Sequence, residues 1–124
     1  MREKEKIMNS NTKKTYNSAV DNLLDGINED YRNWTENWDN PTDSRNKFKD
    51  GLSVKSGRKF DKVIHDNSVW GFVAKKDGVL KGIPYFVGDV FKAASWRGPA
   101  KHVRGSIFYK GSSWYQWTGP NYLI

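Results

Sequence analysis

Seven large side chains set the first constraint on this chain. Tyr16, Val20, Leu23, Ile27, Tyr31, Trp34 and Trp38 follow one another at intervals of four, three, four, four, three and four residues, a spacing that lays them along one stripe of an α-helix. Ala19 and Leu24 widen the stripe, and Asp21, Asp25, Glu29 and Asp30 fall on or near the opposite side. The spacing predicts a long amphipathic helix from Lys13 to near Trp38–Asn40, acidic where it meets water and aromatic-aliphatic where it meets the core. Trp34 and Trp38 are expected to seal that helix onto a sheet rather than to form a binding platform. Gly26 costs the helix about 1 kcal/mol relative to alanine. Pro41 biases Asn40 away from helical angles, Thr42 or Asp43 can cap a short helix over Ser44–Asp50, and Gly51 stops it.

The second half of the chain changes period. Phe60–His65, Ser68–Lys75, Val79–Ile83, Val90–Ala94, Val103–Lys110 and Ser113–Thr118 are short runs rich in β-branched and aromatic residues, bounded by turn-forming residues. Lys76-Asp77-Gly78 reads as a hairpin turn, with further turns at Val87-Gly88-Asp89 and Lys110-Gly111-Ser112-Ser113. Strict alternation puts Val69, Gly71 and Val73 on one face and Trp70, Phe72 and Ala74 on the other. The fold expected is α+β, a long N-terminal amphipathic helix packed on an antiparallel β-meander or small partly open barrel.

A chain of 124 residues is one domain by size. Within it, residues 1–12 read as a flexible arm, 13–51 as the helical part and 52–124 as the basic β-rich part, with Tyr122, Leu123 and Ile124 returning to the core. Cysteine is absent, which removes disulfides, thiolate metal sites and cysteine nucleophiles together. No apolar run approaches the roughly 18 to 20 residues that span a bilayer, and the opening Met-Arg-Glu-Lys-Glu-Lys lacks the apolar stretch of a signal peptide. The reading is a cytoplasmic protein with no membrane contact.

Charge points to the working surface. The net charge is +7, but residues 1–50 hold nine Lys/Arg against ten Asp/Glu, while residues 51–124 hold twelve against four. No acidic side chain follows Asp89, and Lys92, Arg97, Lys101, Arg104 and Lys110 all do. Within Lys92–Gly105 four cations are interleaved with Trp96 and His102. Cations neutralise phosphates and flat rings stack on unpaired bases, so Lys92, Trp96, Arg97, Lys101, His102, Arg104 and Lys110 are the candidate nucleic-acid-binding residues. The partner expected is RNA or single-stranded DNA. An acidic protein docking on the same patch is the rival, and the acidic helix face permits a homodimer that would cover it.

Catalysis is the weaker reading. Two imidazoles with a lysine can cleave RNA without metal, one as base on the 2′-hydroxyl and one as acid on the leaving oxygen. His65, His102, Lys101 and Arg104 supply such a set, or Asp66 or Asp89 can replace one imidazole as base. His65 and Asp66 are adjacent, so in a strand they face apart and make a poor metal pair. Ser95 lacks a nucleophile-elbow context, and the glycines open no phosphate-binding loop. Neither a metal nor a cofactor is expected.

The segment Gly88-Asp89-Val90-Phe91-Lys92-Ala93-Ala94-Ser95-Trp96, continuing through Arg97-Gly98-Pro99-Ala100-Lys101-His102-Val103-Arg104-Gly105 to Trp117-Thr118-Gly119-Pro120, resembles the small accessory proteins of tailed bacteriophages. It spans about the last third of the chain. The resemblance implies a setting, the infected bacterial cytoplasm, and a task of binding a host component or the phage genome, and it assigns no role to any residue. The function expected is therefore a non-enzymatic, phage-type nucleic-acid-binding protein. An inhibitor docking on an acidic host protein is the first alternative and a small metal-independent ribonuclease the second.

Overall fold

The computed structural model describes residues 10–109, 111 and 113–121. The arm over residues 1–9, Lys110 and the return of Tyr122, Leu123 and Ile124 lie outside the described residues. In chain order the elements are α1 (Ser10–Trp34), α2 (Thr42–Gly51), β1 (Leu52–Ser56), β2 (Phe60–His65), β3 (Ser68–Ala74), β4 (Gly78–Leu80), β5 (Ile83–Tyr85), β6 (Asp89–Ala93), β7 (Pro99–Ser106), β8 (Tyr115–Gln116) and β9 (Gly119–Pro120). Five strands pair antiparallel in the order β1-β2-β3-β6-β7, and β4-β5 and β8-β9 are two separate small hairpins. The fold is α+β, and its five-stranded sheet is open rather than closed into a barrel.

The periodic stripe does what its spacing requires. Tyr16, Ala19, Val20, Leu23 and Ile27 of α1 pack on Val63, Trp70, Val73, Val90 and Ile107. Ile27, Val63, Val73 and Val90 are wholly out of solvent, each burial contributing about 1.5–3 kcal/mol. Gly26 is more than a helix weakness, because any Cβ there would collide with the Tyr115 hydroxyl; its bare backbone lets the β8–β9 hairpin dock on the helix. Tyr16 reaches across the same core to donate its hydroxyl proton to buried Asp61 at 2.8 Å, so the one carboxylate of β2 is satisfied inside the fold.

The ends of the helices depart from expectation. α1 starts at Ser10, so residues 10–12 belong to it, and it stops at Trp34 instead of running to Trp38. Beyond Trp34 the bonding tightens, with Glu36 N–H donating to Asn33 O and Trp38 N–H to Thr35 O, and Asn40 reverses the chain at φ 50°. Arg45 of α2 stabilises this end by donating to Thr35 Oγ1 at 2.8 Å and to the Arg32 carbonyl at 2.9 Å, which places a cation where helix carbonyls are left open. Thr42 and Asp43 lie inside α2; Pro41 is its N-cap and no side chain caps it.

Five sheet expectations are corrected. The register shifts between Val63 and Ile64, which pair with Gly71 and Val69. Trp70 is the extra residue of a β-bulge, and the bulge turns it under α1 with Val73 while Phe72 and Ala74 face the other way with Val69. Lys76-Asp77-Gly78 leads out of the sheet instead of forming a hairpin. The tight turn lies between Leu80 and Ile83, where Lys81 and Gly82 both adopt positive φ, 50° and 81°. The region assigned to one strand, Val79–Ile83, is thus the hairpin β4-β5, which lays Tyr85 and Leu80 over Phe72, Ala74 and Phe91. The predicted run Val103–Lys110 is shifted toward the N-terminus as β7, and Ser113–Thr118 contributes only β8. Among the described residues, no helix is long and apolar enough to cross a membrane.

Candidate nucleic-acid interface

β6 and β7 pair through two register shifts, after Val90 and after Phe91. Such irregularity bends a strand pair. The tip is closed by Ala94 N–H and Ser95 N–H donating to the Gly98 carbonyl at 3.0 and 3.2 Å, and Ser95 Oγ accepts from Arg97 N–H at 3.2 Å. This small turn holds Trp96 and Arg97 exposed at its end.

Trp96 is brought over the face of the sheet opposite α1. There Lys62 Nζ stands 4.3 Å from the Trp96 ring centroid and 5.9 Å from that of Phe72. Lys62 belongs to β2, two strand positions from β6, so the contact joins two hairpins across β3. A cation over an indole face is worth about 0.5–1 kcal/mol when exposed, enough to orient the ring while leaving it in solvent at 48% exposure. Sequence reasoning missed Lys62. Only its face was readable, since in Phe60–His65 alternation sets Asp61 and Val63 against Phe60 and Lys62; its partner Trp96 is distant in sequence.

The seven candidates do not form one patch. Trp96, Arg97, Lys101 and His102 are exposed. Lys92 and Arg104 are half-buried on the helix side, where Lys92 Nζ would stand 3.9 Å from a Cβ at Gly119 of β9. Burial, and then the neighbouring Arg104 charge, hold the Lys92 ammonium below the usual lysine value. Arg104 is the extra residue where Val90 pairs with Gly105 and Phe91 with Val103, which turns it toward Lys92 and away from the Trp96 face. Lys110 is outside the described residues.

The proposed histidine pair is not assembled. His65 closes β2 and His102 lies in β7, three strand steps away, a separation of at least about 14 Å at roughly 4.8 Å per step. His65 packs on Phe48 with ring centroids 4.3 Å apart. Its Nε2 lies 3.5 Å from Asp66 Oδ2, because Asp66 leaves the strand at φ 54° and swings back beside the imidazole. That corrects the expectation that these two side chains face apart. Asp89 accepts from Phe86 N–H at 2.9 Å and fastens a turn; burial raises its carboxyl above the usual value, against the lowering effect of that hydrogen bond. The described residues contain no group of three or more side chains suited to hold a metal ion.

A second aromatic group lies at the end of α1. Tyr31 stacks on Phe48 at 4.2 Å, and Trp34 packs on Trp38 at 5.0 Å and on Trp117 at 4.9 Å. Trp34 therefore packs against Trp117 of the β8–β9 loop, and Trp38 against Trp34 and Tyr31, instead of sealing the helix to the sheet, and both remain exposed. Asp30, assigned to the wet side, turns in to accept the Trp117 N–H at 2.8 Å.

No curated protein and no solved structure matches this chain significantly. Residues 2–122 match the model of a Family of unknown function (DUF7717), and the chain belongs to that family.

Proposed function

We propose that this protein is a non-enzymatic binder of single-stranded nucleic acid, RNA or DNA, that uses the β6–β7 hairpin. The observation that carries the reading is the exposed Trp96 ring, faced by the Lys62 ammonium at 4.3 Å, next in sequence to exposed Arg97 and on the same hairpin as exposed Lys101 and His102. An unpaired base stacks on such a ring, and the surrounding cations take the phosphates. Lys92 and Arg104 add positive potential from the far side without touching the strand. In the infected bacterial cytoplasm that the phage resemblance implies, polyanions of this kind belong to host and phage alike.

Fluorescence anisotropy of labelled single-stranded RNA and DNA, titrated with wild type and with Arg97→Ala/Lys101→Ala, tests this. Micromolar or tighter binding by wild type, weakening steeply with salt and lost in the variant, supports it. Intact RNA after incubation sets aside the ribonuclease. Absence of binding at low salt sinks the proposal and directs attention to an acidic protein partner.

A further inference from the structure

The β1–β2 hairpin carries a concentration of positive charge that the β6–β7 patch does not account for. Between Lys55 and Lys62 stand four cations, Lys55, Arg58, Lys59 and Lys62, and a single acid, Asp61. Asp61 is buried and accepts the Tyr16 hydroxyl, and its nearest cation is Lys75 at 4.0 Å. Lys75 also donates to Ser56 Oγ at 2.8 Å and to the Gly57 carbonyl at 3.0 Å, which fixes the hairpin from beneath. Among the described residues, no carboxylate pairs with the other four.

Two of them are set directly against each other. Lys55 and Lys62 are register partners of β1 and β2, and like charges in directly opposed positions of an antiparallel pair repel at Cβ separations of about 4.5–5.5 Å. An anion between the two ammonium groups converts that repulsion into two attractions. The pair also adjoins the stacking surface, because Lys62 is the residue over Trp96.

We infer that the β1–β2 hairpin is the second arm of the nucleic-acid track, an inference that rests on the function proposed above. Lys55 and Lys62 hold one phosphate, Arg58 and Lys59 continue the track beyond it, and the adjoining base takes the place of the Lys62 ammonium on Trp96. Lys62 then serves two states: it covers the ring in the free protein and moves to the phosphate in the complex. The ligand is single-stranded, since only an unpaired base offers its face to the ring.

The test is the salt dependence of binding to a labelled oligo-dT of about 12 nucleotides, within the span of single-strand sites, for wild type, Lys55→Gln/Lys62→Gln and Arg97→Gln/Lys101→Gln. Glutamine keeps the stems and removes the charge, and circular dichroism verifies the fold. If Lys55 and Lys62 together neutralise one phosphate, their removal lowers the slope of log K against log salt by about 0.7, the share of one phosphate on a single strand, and Lys55→Arg/Lys62→Arg restores it. A wild-type slope in Lys55→Gln/Lys62→Gln, with the slope reduced in Arg97→Gln/Lys101→Gln, overturns the second arm and leaves the β6–β7 site standing. Failure of wild type to bind any strand overturns both.

Discussion

Trp34 and Trp38 at the end of α1 and Trp96 at the tip of β6–β7 leave similar shares of their surface in solvent, 54%, 43% and 48%, yet they are held in different ways. The first two belong to a ring group in which both meet Tyr31 and each other, Trp34 also meets Trp117, and Phe48 lies beneath Tyr31 and Trp117, at centroid separations of 4.2–6.5 Å across the group. Trp96 is instead held by a lysine from another hairpin. Exposure alone therefore does not separate an aromatic that fastens the fold from one available to a ligand. The neighbours do, since a ring lodged among rings loses packing when it is removed, while a ring steadied by a mobile ammonium loses little.

The comparison can be broken at its strongest point first. Phe48, 4% exposed and stacked on Tyr31, is the buried base of the helix-end group, and Phe48→Ala is expected to lower unfolding free energy by about 3–5 kcal/mol, measured by urea denaturation. A loss below about 1 kcal/mol would show that the group does not fasten α1 to α2. Trp96→Ala should do the reverse. Its unfolding free energy stays within about 1 kcal/mol of wild type, while binding of single-stranded DNA weakens by about 1–3 kcal/mol, the share of one stacked base. A stability loss without a binding loss would move Trp96 into the structural class.

Trp34→Ala sharpens the contrast at a lower magnitude. It gives up three ring contacts on a half-exposed indole, each at the low end of about 0.5–1.5 kcal/mol, so stability falls by about 1–2 kcal/mol and nucleic-acid affinity stays at the wild-type value. An equal loss of affinity would place both tryptophans on one track.

The smallest effect concerns pH. Burial first, then the hydrogen bond to Asp61 and the Asp61 charge, raise the Tyr16 hydroxyl above the ordinary tyrosine value of 10. In the unfolded chain the group ionises near 10, and in the folded chain it keeps its proton. The unfolded state thus binds fewer protons above pH 10, and the stabilisation, complete below that value, is lost as pH rises toward the folded-state pKa. Denaturation midpoints between pH 9 and 11 should fall for wild type and fall less for Tyr16→Phe; parallel curves would exclude Tyr16 as the source.

Much of the fold was legible because its signals are periodic and local. The α1 stripe is read from spacing alone, and β2 is bounded as its composition suggests. What escaped is non-local or nearly patternless. β1 has four exposed positions among five, so no alternation announces it, and it is recognisable only by its pairing with β2. The bulge at Trp70 reverses a face assignment that strict alternation makes unavoidable. In the candidate site, Trp96, Arg97, Lys101 and His102 were legible as exposed cations and rings in one segment. Lys62 was not, because its link to Trp96 exists only once the β6–β7 hairpin leans across the sheet. The half-burial of Lys92 and Arg104 was not legible either, because a charge run in sequence does not reveal which side chains the sheet and its register shifts turn inward.

An open sheet has two unpaired borders, and here both are basic. β1 offers Lys55 and β7 offers Lys101 and His102 along the outermost strands. Lysine on such borders keeps strands of separate molecules from adding to one another, so the charges proposed to hold a nucleic acid also guard each molecule against growing into a shared sheet. Neutralising them, by substitution or by a saturating polyanion, would remove that guard, and self-association of the charge-depleted protein becomes the hazard to watch at high concentration.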